Sequence, residues 1–85
     1  MKNIGIAIHN EIDKILLAIV KARKEKGFSQ YDMAYKIHVS QNSYFKIEKG
    51  KTKLDLERLL LIANILELDL SYLFKDSHAL LNNNF

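Results

Sequence analysis

Between residues 40 and 49 the chain sets two amides (Gln41, Asn42), two ammonium groups (Lys46, Lys49) and one aromatic ring (Phe45) at intervals that a helix would gather on one side. At about 100° per residue, Asn42, Phe45, Lys46 and Lys49 fall opposite Ser43, Tyr44 and Ile47, with Gln41 flanking. A carboxamide carries a donor and an acceptor in one plane and so pairs bidentately with an adenine edge, and an ammonium group reaches guanine or phosphate oxygens. The solvent face of a short amphipathic helix would use the same residue types, so the pattern alone leaves both readings open.

Other chemistries lack their constituents. There is no cysteine, and His9, His38 and His78 are too scattered for ligand spacing, so neither a disulfide scaffold nor a structural metal is expected, and no cofactor is implied. No Ser/His/Asp or Cys/His grouping falls on adjacent elements and no glycine loop cradles phosphate, so an enzyme is not expected. Asp55 and Glu57 read as a helix cap and a first-turn acid rather than a catalytic pair. No signal peptide or bilayer-spanning apolar run is evident, and a cytoplasmic location is expected. The net charge is +3, but its distribution says more: ten Lys/Arg against five acids lie between Lys21 and Arg58. That basic centre fits either a polyanion footprint or ordinary solvated helix faces.

The elements that must position these side chains are read from caps, because the chain has no proline and only three glycines. Ser29 with Asp32 makes a capping box, and Phe28 can staple onto Met33. Ser40, Asp55 and Asp69 repeat the device, the last with Ser71 as an alternative start. The spacing predicts a first helix ending near Lys26, then helices at about 29–37, 40–49, 55–67 and 69–74. Ile4, Ile6 and Ile8 alternate like a short extended arm. Ile4, Ile8, Ile12, Ile15 and Ile19 share one helical face, which favours a long first helix instead. Hydrophobic residues make up 48% of the chain, enough for one modest all-α domain over residues 1–74, and residues 75–85 read as a short tail.

The segment GFSQYDMAYKIHVSQNSYFKIEKG (27–50), followed by a leucine-rich helix ending in LDLSYLF (68–74), resembles the Cro and phage-repressor type of helix-turn-helix, the XRE family. The similarity runs from about residue 15 to 74. It implies a compact five-helix, lambda-repressor-like DNA-binding domain and a sequence-specific transcription regulator, of a kind that includes repressors. Residue by residue, it implies that Gln30 touches a phosphate and braces the recognition helix. Gln41, Asn42 and Lys46 match base-reading positions, and Lys49, Lys51 and Lys53 match the loop that grips phosphate. Arg23 and Glu48 match a structural ion pair that sets the angle of the recognition helix. Partners implied are double-stranded DNA, as a pseudo-palindromic operator, and a second copy of the chain. A toxin protein is the alternative partner, since antitoxins share this fold.

The sequence departs from that pattern at four positions. His38 and Glu67 stand where the family has glycine, Leu54 where proline is common, and Phe45 where small polar residues prevail. Phe45 either contacts a thymine methyl or folds down beside Tyr44.

Overall fold

The structure, a computed structural model, describes residues 4–73. Regular structure among these residues is helical: α1 (Ile4–Glu25), α2 (Gln30–Lys36), α3 (Gln41–Glu48), α4 (Leu56–Leu66) and α5 (Leu70–Leu73). The isoleucine arm at residues 4–8 is therefore the first turn of a long helix, not a strand.

The starts follow the predicted caps. Ser29 Oγ accepts the Asp32 amide at 2.9 Å, and the Asp32 carboxylate accepts the Ser29 amide at 2.8 Å, closing a reciprocal box. Those bonds from the Ser29 backbone and hydroxyl hold the Asp32 carboxyl below its usual range. Ser40 Oγ accepts from the Ser43 amide and Asp55 from the Arg58 amide. At α5 the cap is Asp69, whose carboxylate accepts the Ser71 and Tyr72 amides, so the start does not slip to Ser71.

The stops share a device that the residue types only partly announce. Gly27, His38, Gly50 and Glu67 all adopt positive φ (75°, 61°, 70° and 57°). In each case the next residue's amide returns to a carbonyl five positions back: Phe28 to Arg23, Val39 to Ala34, Lys51 to Lys46 and Leu68 to Ala63. This left-handed closure satisfies carbonyls that a helix end otherwise orphans. It explains how a chain without proline ends four helices within a few residues. His38 and Glu67 carry the steric cost of a side chain in this region, roughly 1–2 kcal/mol each. At Gly50 a side chain would also meet Leu16, whose Cδ1 lies 3.2 Å from the position a Cβ would take.

The core is drawn from four helices: Leu16, Ile19 and Ala22 of α1, Met33 and Ala34 of α2, Tyr44 and Ile47 of α3, and Ile62, Ala63 and Leu66 of α4. Ile37, just past α2, is buried with them. Phe28, Val39, Leu54 and Leu59 pack on this cluster from the connections and the start of α4. Ala34 is buried, as the tight α2–α3 crossing requires. On α1 the apolar stripe outruns the core: Ile19 is fully buried, whereas Ile12 and Ile8 are 44% and 40% exposed.

Candidate nucleic-acid interface

Behind α3 lies a polar cluster with a defined geometry. Arg23 Nε donates to Glu48 Oε2 at 2.6 Å and Arg23 Nη2 to Glu48 Oε1 at 3.2 Å, a two-pronged pair whose side chains are only 9% and 3% exposed. Arg23 Nη1 donates to the Phe28 carbonyl at 2.9 Å, and Gln30 Nε2 donates to Glu48 Oε1 at 3.0 Å. The end of α1, the α1–α2 turn, the first residue of α2 and the last residue of α3 are thus tied at one point.

Burial opposes the charged form of Glu48, but the Arg23 hydrogen bonds first, with the nearby Tyr44 hydroxyl and then the Gln30 amide, outweigh it and hold the carboxyl below its usual range. The same pairing, against the cost of burial, raises the Arg23 guanidinium above its ordinary value. Both groups are charged at neutral pH, which is what an almost dry site tolerates only in a well-bonded pair.

The structure thus brings together Arg23 and Glu48, and Gln30 with them. The Tyr44 hydroxyl was not foreseen. It is buried beside the Glu48 carboxylate without a well-aligned hydrogen bond. Burial first, and then hydrogen-bonding to and the charge of the adjacent Glu48 carboxylate, push its ionisation well above the usual phenol range. A buried hydroxyl without a well-aligned bond recovers little of its desolvation cost. Tyr44→Phe is accordingly expected to leave stability unchanged or raise it by up to about 1 kcal/mol, read from the urea midpoint at constant slope. A loss above that size would mean that the hydroxyl is satisfied in solution.

On the opposite side of α3 the sequence-selected residues are presented outward. Gln41, Asn42, Lys46 and Lys49 are exposed, and Phe45 is half-buried. Gln30, Gln41, Asn42 and Phe45 line one shallow depression, bringing the first residue of α2 beside the outward face of α3. Gln30 spends one amide hydrogen on Glu48 and keeps the other. Lys51 and Lys53 are exposed on the loop after α3. Ser43, grouped with the inward side by helical angle, is exposed at the rim, where its hydroxyl accepts from Ser40 Oγ at 2.9 Å.

Two short helices crossing tightly, with an outward polar face on the second, define a helix-turn-helix. The helix-turn-helix family profile matches residues 19–73, most of the chain, and the protein belongs to this family, of the XRE type that its sequence resembles. Among curated proteins of Bacillus subtilis (strain 168), it is similar to the SPbeta prophage-derived uncharacterized HTH-type transcriptional regulator YonR, 39% identical over 59 residues that make up 69% of this chain and 55% of that protein. It is also similar to the uncharacterized HTH-type transcriptional regulator YqaE, 38% identical over 55 residues covering 65% of this chain and 47% of that protein. The chain thus spans about half the length of these relatives. No solved structure matches significantly. Among the described residues, no helix is long and apolar enough to cross a membrane.

Proposed function

We propose that this protein is a sequence-specific, double-stranded-DNA-binding transcription regulator that lays α3 in the major groove. The observation that carries this reading is the pairing of an exposed amide and cation face on α3 with a buried brace that fixes the helix from behind. Gln41, Asn42, Lys46 and Phe45 take the base edges. Gln30, Lys49, Lys51 and Lys53 hold backbone phosphates, which position the helix without reading sequence. The relatives named as transcriptional regulators support the same duty. No observation favours a toxin as the main partner.

One recognition helix reads only a few base pairs, too few for a regulator that competes with genomic non-specific sites, so the reading includes a two-fold dimer on a pseudo-palindrome. The carboxyl end offers Leu70 to the dimer contact, together with Leu80, Leu81 and Phe85, which lie outside the described residues. The amino end offers Ile6, Ile8 and Ile12, all exposed on α1. The exposed Ile8 and Ile12, which share one face of α1, make the amino end a second reading of the contact.

Footprinting on a selected duplex, combined with sedimentation at micromolar concentration, tests the proposal. The expected result is protection of two half-sites centred about 10–10.5 base pairs apart by a dimer. Protection of one asymmetric half-site by a monomer would remove the dimer, and no protection of any duplex would remove the function.

A further inference from the structure

We infer that Phe45 is a thymine-reading residue: its ring receives the 5-methyl group of a thymine within one or two base pairs of the adenine paired by Gln41 or Asn42. The inference rests on the DNA-reading function proposed above and narrows what that face reads. Four observations carry it.

Phe45 is half-buried although it stands outside the set of apolar residues that pack on the core, which at this level are Phe28 and Val39. The alternative of a ring folded down into the core beside Tyr44 is therefore disfavoured. The Lys49 ammonium lies over the ring at 5.6 Å from its centroid, within cation–π range, so the ring has a preferred orientation on the surface.

The depression beside the ring is lined by three carboxamides, Gln30, Gln41 and Asn42, while the Lys49 ammonium lies over the ring. In the major groove an A·T pair presents N7 and N6 on adenine for an amide and a 5-methyl on thymine for an apolar surface, whereas a G·C pair presents no apolar group. An apolar ring flanked by the Gln41 and Asn42 amides matches the first and not the second.

The spacing also fits. Phe45 follows Asn42 by three residues and Gln41 by four, which on a helix puts their Cβ atoms about 5–6 Å apart. Successive bases rise about 3.4 Å, so amide and ring meet neighbouring steps rather than distant ones.

The test uses the full chain and a duplex chosen by selection. Each thymine of the site is replaced singly by deoxyuridine, which deletes the methyl group and keeps the pairing. For wild type, one thymine per half-site should lose about fourfold in affinity on replacement, the factor expected when one methyl group leaves an apolar contact. For Phe45→Ala the same replacement should have no effect, while preference at the adenine positions is kept. Phe45→Leu, which retains an apolar contact, should retain part of the thymine effect. Selective binding with no sensitivity to any thymine methyl, or an equal loss in wild type and Phe45→Ala, overturns the assignment to Phe45 while leaving the DNA-reading function intact. Absence of selective binding to any duplex overturns both.

Discussion

Glu48→Ala should lower folding stability by about 3–5 kcal/mol, far more than an exposed carboxylate would contribute, because it strands the buried Arg23 guanidinium without a counter-charge. Arg23→Ala should cost a comparable amount at neutral pH, where Glu48 would otherwise be ionised. The double variant should lose clearly less than the sum, with a coupling of at least about 1 kcal/mol, because removal of both charges also removes both desolvation costs. Urea unfolding of the four proteins at constant slope gives the cycle directly. The acid limb carries the same information. Glu48 is held below its usual range in the folded protein, so the stability it contributes is full above its unfolded value and is lost as pH falls through its folded one. The Glu48→Ala variant should lack that part of the acid destabilisation. Additive losses with an unchanged acid limb would mean that the pair does not form in solution.

The second large effect concerns salt. Each lysine that neutralises a phosphate releases counterions, and the slope of log affinity against log salt changes by about 0.9 per contact. If Lys49, Lys51 and Lys53 all serve in both protomers of a dimer, those contacts alone cost roughly a thousandfold in affinity between about 50 and 200 mM salt. The triple alanine variant should bind more weakly at low salt and with a visibly flatter slope, yet prefer the same sequence, because phosphate contacts position without reading. Titrations at four salt concentrations suffice. An unchanged slope would take these lysines off the backbone, and a changed sequence preference would place one of them on a base. These residues are all exposed, so the variant should fold as wild type does.

Much of this architecture was legible before the coordinates because its signals are local. Ser29, Ser40, Asp55 and Asp69 cap helices through side chains two or three residues from the amides they bind, a distance that sequence spacing encodes. The apolar stripe of α1 resolved the isoleucine ambiguity in favour of a helix, since five positions fitted that period and only three fitted alternation. The Arg23–Glu48 pair spans 25 residues and no local rule predicts it. It came from the family resemblance alone.

Two features escaped because they depend on what the fold places around a residue. Tyr44 looked like an ordinary apolar contributor. Its helical position does place it inward, but nothing in the chain signals that its hydroxyl lies beside an ion pair without a well-aligned bond. Phe45 was left between two fates because an aromatic ring stands there on the outward face, where the family pattern has small polar residues. The coordinates give it Lys49 above and three amides beside it. The positive φ at His38 and Glu67 was readable only as a substitution for glycine, and the uniform closure of four helices became visible only with the backbone bonds in place.

Selection of bound sites from a random duplex pool, run in parallel with wild type, Gln41→Ala and Asn42→Ala, tests the central claim that the outward face of α3 reads base pairs. Each good bidentate amide contact discriminates by about 1–3 kcal/mol, so wild type should enrich a defined motif with two related halves. Each alanine variant should then relax the preference at one or two positions per half while keeping the rest. Pools that show no enrichment, or a motif unchanged in both variants, would contradict the account.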